Sequence, residues 1–254
     1  MKSLEGRVAL VTGGGRGIGR AIALELGRQG AAVVLSSRTQ SDLDAVVEQI
    51  EAEGGRGHAA VCDALDREQV RALAPTTLEA FGRIDILVNN VGGGAPVRGM
   101  DPDDAFLANV TLNLLSAVWI TRAVLPTMKE QGWGRVISIG SGASKNSGAS
   151  LDYVTAKHGV VGYTRQLAAD VAERGITVNC LCPGWTNTSL VDFESMGKRM
   201  GTSAAEAQAY AEKDSLQHRV LEAEELAPMA ALLAGEGGKG ITGQVISVDG
   251  GYKV

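Results

Sequence analysis

A tyrosine and a lysine stand four positions apart in the sequence, at Tyr153 and Lys157. On a helix, side chains with this spacing project from the same face, so the ammonium would lie beside the phenol. A positive charge there favours the phenolate and lets the tyrosine carry a proton near neutral pH. The pair is a candidate for acid–base chemistry, although this spacing alone is common by chance.

A glycine-rich turn lies upstream of this pair. Gly13, Gly17 and Gly19 follow an apolar segment and open an amphipathic one. At such a strand-to-helix junction, backbone NH groups and the helix dipole can hold a pyrophosphate. Alone, the turn could be a tight connection without a ligand. Together with Tyr153 and Lys157, it predicts a nicotinamide-dependent oxidoreductase.

The residues after the second predicted strand indicate which nicotinamide cofactor is used. An acidic residue about 20 positions past the turn would bond both ribose hydroxyls of NAD. This chain has Ser37 and Arg38 there. Arg38, helped by Arg16, can pair with a 2′-phosphate that a carboxylate would repel. NADP(H) is therefore the predicted cofactor, and a solvated surface charge is the alternative role of Arg38.

Two further strand ends contribute candidate cofactor contacts. Asp63 follows Cys62 at the end of the third predicted strand and could accept from the adenine amino group. A helix-capping carboxylate is an equally ordinary interpretation of Asp63. Asn90 and Gly92 end the fourth strand, at the point where the strand order of a doubly wound sheet reverses, and would line the adenosine ribose.

The elements that must position these residues follow from hydrophobic patterning. Short β-branched segments alternate with longer amphipathic ones from end to end, which predicts a parallel sheet with helices on both faces. Strands are predicted at 7–12, 32–37, 57–63, 84–89, 134–140, 176–182 and 244–248, and helices at 17–29, 41–53, 66–81, 103–130, 153–174 and 222–234. Asp66 and Gln69 resemble a capping box, and Pro75 is expected to kink the third helix. The fold class is α/β, a single Rossmann-type doubly wound domain over residues 1–254.

Residues 188–220 break the alternation. This segment is polar and alanine-rich and has no strand pattern, which predicts a helical lid on the substrate side. Aromatic and thioether side chains in and near it could line a pocket, or could equally be core. They are Trp185, Phe193, Met196 and Tyr210.

Composition limits the classes of partner. The 254 residues are 44% apolar with 34 glycines, which fits one domain with one core. A net charge of −5 with scattered Lys and Arg favours neither nucleic acid nor an anionic membrane. No apolar run approaches about 20 residues, and the chain starts without an apolar export segment. Three cysteines in apolar runs favour a reducing compartment, so a cytoplasmic enzyme with a small-molecule substrate is expected. His58 and His218 have no ligand-like partners, so no metal site is predicted.

Six ordered elements cover essentially the whole chain. They are Thr12-Gly13-x-x-x-Gly17-x-Gly19, Asn89-Asn90-x-Gly92, Ser141, Tyr153-x-x-x-Lys157, Pro183-Gly184 and the tail Ile241–Gly251. In this order they resemble the short-chain dehydrogenase/reductase family. The resemblance implies a seven-stranded sheet of order 3-2-1-4-5-6-7, a Ser-Tyr-Lys-Asn tetrad and a homotetramer.

The resemblance also implies roles for the tetrad. Tyr153 would be the general acid in reduction and the general base in oxidation, and Ser141 would bond the substrate oxygen. Lys157 would hold the nicotinamide ribose. Asn113 would hold a water that links Lys157 to solvent. Asn109 lies one turn away on the same helix face, but Asn113 matches the family spacing better.

Further cofactor contacts follow from the same resemblance. Thr188 would contact the carboxamide, after the turn formed by Pro183 and Gly184. The full predicted cofactor set is Gly13, Arg16, Gly17, Ile18, Gly19, Ser37, Arg38, Asp63, Asn90, Gly92, Tyr153, Lys157, Pro183, Gly184 and Thr188. The chain departs from the pattern at Val91, where the family has alanine, and in a stretch before Tyr153 that is one residue shorter.

Three functions remain open at this point. The first is an NADPH-dependent reductase of a ketone to a secondary alcohol, with a 3-oxoacyl thioester as the favoured substrate class. The second is a dehydrogenase of a cyclic, aromatic or sugar-like alcohol. The third is a non-catalytic NADP-binding regulatory protein, which the intact tetrad disfavours.

Overall fold

The computed structural model describes residues 3–95 and 97–253. Within these residues, seven parallel strands form one sheet of order β3-β2-β1-β4-β5-β6-β9. The strands are β1 (Val8–Thr12), β2 (Ala32–Ser37), β3 (Arg56–Val61), β4 (Ile86–Asn89), β5 (Gly134–Ile139), β6 (Ile176–Pro183) and β9 (Val245–Val248). Two short strands, β7 (Thr186–Asn187) and β8 (Leu221–Glu222), pair with each other. The predicted order is confirmed, because β9 is the seventh strand of the main sheet.

The helices lie close to the predicted positions. They are α1 (Gly17–Arg28), α2 (Gln40–Ala52), α3 (Arg67–Phe81), α4 (Pro102–Val110), α5 (Ser116–Gln131), α6 (Leu151–Val171), α7 (Phe193–Met200), α8 (Ala204–Lys213) and α9 (Ala227–Ala234). A π-helix, Thr111–Leu115, joins α4 to α5. The Asp66 carboxylate caps α3 by accepting from the backbone NH groups of Glu68 and Gln69. The Gln69 side chain accepts from the Asp63 NH and not from that of Asp66, so only half of the predicted capping box forms. The helix α3 continues through Pro75 to Phe81.

Helices cover both faces of the sheet, which explains why its central strands β1 and β4 are fully buried and largely apolar. On β1, Ala9 and Val11 belong to one hydrophobic cluster and Leu10 to the other. The first cluster contains side chains of α1, α2 and α9, and the second contains side chains of α3, α5 and α6. The site residues that follow the strands are therefore held at one edge by two packed layers.

The continuous helical segment Pro102–Gln131 is, by length and composition, apolar enough to cross a membrane. Core helices of folded domains meet the same criterion. Here α5 packs against α3, β4 and β5. Its Thr121 hydroxyl accepts a hydrogen bond from the buried Asn89 amide at 3.0 Å. These contacts are those of a helix that covers a sheet.

The predicted lid region contains α7 and α8, which pack on each other. Its base is fixed where β7 pairs with β8, on either side of the segment. Ala207 and Ala211 of α8 are fully buried, whereas Met200 and Tyr210 are about half exposed. Small side chains therefore make the helix contacts in this region, and several large ones face outward.

Candidate active site

A cavity of about 640 Å³ runs along the carboxyl edge of the sheet. Most of the predicted site residues line it, from the glycine turn to the start of α6. They are Gly13, Arg16, Gly17, Ile18, Ser37, Arg38, Asp63, Asn90, Gly92, Ser141, Tyr153, Lys157, Pro183, Gly184 and Thr188. Gly19 and Asn113 are absent from the described lining, and each contacts a residue or loop that forms it.

The glycine turn needs glycine for two different reasons. Gly13 and Gly17 have φ values of 65° and 54°, in the left-handed region that other residues rarely adopt. A Cβ at Gly19 would overlap the carbonyl oxygen of Gly13 and the side-chain amide of Asn90. That amide donates to the carbonyl oxygens of Thr12 and Gly13 at 3.1 and 3.0 Å. The result is a fixed cradle that a phosphate can approach at backbone distance.

The N-terminus of α1 is open to an anion. The helix begins at Gly17 after the extended residue Arg16 and has no acidic residue in its first turn. Among the described residues, the N-cap residue Arg16 makes no side-chain hydrogen bond to this end of the helix. The first backbone NH groups of α1 can therefore donate to another partner. The cradle and the open helix end together fit the diphosphate of a dinucleotide.

Two arginines stand where the second strand ends. Ser37, Arg38 and Arg16 line the cavity, and both guanidinium groups are exposed. The Ser37 hydroxyl accepts from the Thr39 backbone NH at 3.3 Å, which fixes the turn before α2. Asp42, in the first turn of α2, also lines this part of the cavity. The arginines fit a ribose 2′-phosphate, which a guanidinium binds through paired NH donors.

The far end of the cavity is shaped by the turn after β3. Asp63 accepts from the backbone NH of Leu65 at 3.0 Å. The cap of α3 is Asp66, so the alternative role of Asp63 as the helix cap is not observed. Cys62 is 5% exposed. Burial raises the pKa of its thiol to about 11, so it lines this end of the cavity as a neutral thiol.

Tyr153 and Lys157 lie on α6, as their spacing predicts. The Lys157 ammonium is almost fully buried and lies 5.7 Å from the centroid of the Tyr153 ring. It donates to the carbonyl oxygen of Ile139, the last residue of β5, at 2.9 Å. Because a buried charge without a partner is costly, this bond fixes where the ammonium can stand. The positive charge is held beside the phenol by the sheet itself.

Ser141 is held by a reciprocal pair of hydrogen bonds just after β5. Its hydroxyl oxygen accepts from the Ala143 NH at 3.1 Å, and its own NH donates to the Ser144 hydroxyl at 3.0 Å. Ser144 thereby completes a capping box on a short 3₁₀ turn. The hydroxyl proton of Ser141 remains able to bond a substrate oxygen, since only its lone pair is used.

Asn113 and Asn109 both hold the loop that follows β4. The Asn113 amide accepts from the Gly93 NH at 2.9 Å and donates to the Gly93 carbonyl oxygen at 2.8 Å. Asn109 accepts from the Ala95 NH at 2.8 Å. The sequence offers the two asparagines as alternatives for the fourth member of the tetrad, and the structure adds that both hold this loop. Their spacing of four along one helical segment is the sequence signal for this shared contact.

Gly92 lies where the lysine and Asn113 converge. A Cβ at this position would be 2.9 Å from the Lys157 Nζ atom and 3.1 Å from the Asn113 Oδ1 atom. The chain therefore brings the fourth member of the predicted tetrad near the buried ammonium. Asn113 sits in the middle of the π-helix, an irregularity that is frequent at functional sites.

The start of the predicted lid crosses the cavity. The Thr188 Cγ2 atom is 3.2 Å from the Cβ position of Gly17, and the Leu190 Cδ1 atom is 2.8 Å from that of Gly93. Trp185 lines the cavity as the sequence suggested. The described lining contains none of Phe193, Met196 and Tyr210, which were considered with it. It does contain Arg199 and Tyr252, which sequence reasoning did not select.

Comparison with known proteins agrees with this geometry. The family described as short chain dehydrogenase matches residues 7–198. The chain belongs to the short-chain dehydrogenase family. It is 39% identical to the 3-oxoacyl-[acyl-carrier-protein] reductase FabG of Pseudomonas aeruginosa, over 98% of each chain. It is 36% identical to the short-chain reductase protein NovJ of Streptomyces niveus, over 96% of this chain and 93% of that one.

The fold comparison gives a similar result. A crystal structure of a variant of actinorhodin polyketide ketoreductase with NADPH superposes with a TM-score of 0.90 and 33% sequence identity. The match covers 97% of both chains. The similarity to this ketoreductase therefore extends from the sequence to the fold of nearly the whole chain.

Proposed function

We propose that the protein is an NADPH-dependent reductase that converts a ketone to a secondary alcohol, with a 3-oxoacyl thioester as the favoured substrate class. The observation that carries the proposal is the convergence of Ser141, Tyr153 and Lys157 on one cavity with the glycine cradle and the Arg16–Arg38 pair. The substrate class is supported by the 3-oxoacyl reductase and the polyketide ketoreductase that the chain is similar to.

The choice of NADPH rests on charge at the end of β2. Arg38 and Arg16 supply two cations to the cavity, and the position that would favour NAD carries no carboxylate. Gly13, Gly17 and the open end of α1 would hold the diphosphate. When bound, NADPH supplies the hydride that reduces the carbonyl carbon.

The residues of the chain bind and protonate the oxygen of the ketone. Ser141 donates a hydrogen bond to that oxygen and stabilises the negative charge that develops on it. Tyr153 gives its phenolic proton to the same oxygen, which completes the alcohol. The Lys157 ammonium, fixed by its bond to Ile139, stabilises the phenolate that remains. In the oxidative direction the same groups act in reverse.

Asn113 and Thr188 complete the arrangement. Asn113 holds the Gly93 backbone and stands near the ammonium, where it can order a water that returns the proton to Tyr153 through Lys157. Thr188 lies against Gly17 and would contact the carboxamide of the cofactor. Pro183 and Gly184 would form the wall on the nicotinamide side.

Residues 188–220 would act as a lid that closes over cofactor and substrate. Thr188 and Leu190 already reach Gly17 and Gly93 on the two sides of the cavity. Closure would exclude water from the reacting carbon, the usual purpose of such a segment. We expect the enzyme to work in the cytoplasm as a homotetramer, on the family resemblance, and sedimentation equilibrium measures that assembly state directly.

The test is a screen of purified protein with NADPH against ketones and 3-oxoacyl thioesters, following NADPH absorbance, with secondary alcohols and NADP⁺ in the reverse direction. Turnover of a ketone is expected. The Tyr153→Phe variant should lose at least about 100-fold in kcat, because the transferable proton is removed, while its dissociation constant for NADPH changes little. Undiminished reduction by this variant would exclude Tyr153 from the mechanism, and a screen without any turnover would refute the proposed activity.

A further inference from the structure

A second tyrosine lines the cavity beside the catalytic serine. Tyr252, close to the end of the chain, is one of the cavity residues and is partly buried. Its ring lies over Gly142, since a Cβ there would overlap the Cδ1 and Cε1 atoms of the ring. Gly142 directly follows Ser141. A substrate whose reacting oxygen bonds Ser141 must therefore extend past the Tyr252 ring on that side.

The backbone around Tyr252 is tied to the base of the lid. The Asp249 carboxylate accepts from the Gly251 and Tyr252 NH groups at 3.0 and 3.3 Å. Tyr252 forms an antiparallel bridge with Ser215, and the Lys253 NH donates to the Asp214 carbonyl oxygen at 2.8 Å. The ring is thus held by the segment after α8 and does not rest on a loose terminus.

The side chain of Lys253 ties the same tail to the loop before α6. Its ammonium donates to the Ser147 carbonyl oxygen at 3.2 Å and lies 5.2 Å from the centroid of the Tyr252 ring. An ammonium has donors only, so it can bond the phenol oxygen but cannot accept the phenol proton. Burial raises the pKa of Tyr252, an effect that Lys253 partly offsets. The phenol is a neutral donor at physiological pH.

Beside Tyr252, the lining at the base of the lid mixes many apolar side chains with a few polar ones, Thr186, Ser189 and Arg199. Many of the described lining residues have side chains without hydrogen-bonding atoms. Among them are Gly93, Gly94, Ala143, Gly148, Ala149, Leu190 and Val191. The indole NH of Trp185 is directed to the Asp214 carboxylate at 3.3 Å. Of these polar groups, the Tyr252 hydroxyl belongs to the ring that lies over Gly142, next to Ser141, and is therefore well placed to recognise an oxygen on that side.

We propose that Tyr252 is a specificity-determining residue whose hydroxyl donates a hydrogen bond to a second oxygen of the substrate, separated from the reacting ketone by one methylene group. The inference rests on the proposed function and deepens it. In a 3-oxoacyl thioester, the thioester carbonyl oxygen occupies this position. Ser141 and Tyr153 hold one oxygen and Tyr252 the other, so a 1,3-dioxygenated ketone is favoured over a simple ketone.

The test compares two ketones of equal chain length, ethyl 3-oxobutanoate and 2-heptanone, with NADPH as the reductant. The Tyr252→Phe variant keeps the ring over Gly142 and removes only the hydroxyl. Its kcat/KM for the ester should fall about 5- to 10-fold, the effect of one lost hydrogen bond, and that for 2-heptanone should stay within about twofold. Tyr163→Phe, the same change on α6 at a position that packs against the core and lies outside the described cavity lining, is the matched control and should alter neither value.

A binding measurement separates this inference from the proposed activity. Ethyl 3-oxobutanoate with NADP⁺ cannot turn over, so calorimetric titration of the enzyme–NADP⁺ complex measures recognition alone. Weaker binding to Tyr252→Phe than to the wild type supports the inference even if the wild type reduces neither ketone. The inference would be overturned if Tyr252→Phe lost kcat/KM equally for both ketones, if its kcat/KM for the ester were unchanged, or if the ester did not bind to the wild-type complex. In each of these cases, ketone reduction by the wild type would still support the proposed function.

Discussion

Replacement of Arg38 by aspartate should reverse the choice between NADPH and NADH. Arg38 is exposed at the cavity rim after β2, with Ser37 before it and Arg16 across the turn. Arg38→Asp removes one cation from the expected position of the 2′-phosphate. It also places a carboxylate where the two ribose hydroxyls of NADH can donate to it.

The size of the change follows from the exposure of this position. A unit charge pair about 4 Å apart contributes about 1 kcal/mol in water and about 4 kcal/mol at an effective dielectric constant of 20. Because Arg38 is exposed, the lower part of this interval applies both to the attraction between Arg38 and the 2′-phosphate that is lost and to the repulsion between the new aspartate and that phosphate. Their sum of about 2–4 kcal/mol corresponds to a fall of about 30- to 1000-fold in the NADPH/NADH ratio of kcat/KM. Arg16 keeps the loss below that of a site with a single cation.

The assay measures kcat/KM for both cofactors at low and high salt with a fixed ketone. The change in ratio should shrink as ionic strength rises, since the charges are exposed to solvent. Arg71→Asp, the same charge change on the exposed face of α3 and outside the described cavity lining, should leave the ratio unaltered. A wild type that uses NADH as well as NADPH, or an Arg38→Asp variant within threefold of the wild-type ratio, would refute the reasoning.

Three further outcomes can be measured on the same protein. Asn113→Ala leaves the buried NH and carbonyl of Gly93 without their partner, at a cost of about 2–4 kcal/mol, so calorimetry should show a melting temperature lower by about 5–10 °C; an unchanged value would show that the loop is held by other contacts. In hydrogen-exchange measurements, the amides of residues 193–200 should be weakly protected in the free protein and more strongly protected with NADP⁺ and a ketone bound, while those of β1 stay protected throughout. Equal protection of residues 193–200 in both states would indicate a fixed wall. The pKa of Glu225 is lowered to about 2 by its bond with Arg219. Its stabilising effect is therefore nearly complete above about pH 5 and decreases as the pH falls towards 2, so Glu225→Gln should lower stability in urea unfolding clearly more at pH 6 than at pH 2.5. An equal loss at both pH values would contradict this.

The sequence predicts the sheet well because its strands depend on local composition. The second strand was predicted at 32–37, and β2 covers the same residues, Ala32–Ser37. The run is wholly apolar up to Ser36, and its ends are marked by a glycine before it and an arginine after it. The glycine turn is predictable for a similar reason, since the positive φ values of Gly13 and Gly17 belong to a tight turn formed by adjacent residues.

The features that sequence reasoning missed depend on contacts between distant segments. Tyr252 enters the cavity because Asp214 and Ser215, more than thirty residues earlier in the chain, hold the tail in place. The strands β7 and β8 have two residues each, too few to show a periodic pattern. The final helix begins at Ala227, five residues later than the predicted position 222, because a 3₁₀ turn occupies Ala223–Leu226.

The π-helix Thr111–Leu115 has a consequence for how this stretch of chain tolerates changes in length. Its hydrogen bonds enclose one more residue per turn than those of an α-helix, and each residue of a helix advances it by about 100°. Everything after the π-helix is thus rotated relative to what precedes it, which lets Asn109 reach Ala95 while Thr121 still faces Asn89. Deleting one residue here would give a more regular helix but would turn one of these two contacts away from its partner. Along this segment, the number of residues is therefore under tighter constraint than the identity of most of them.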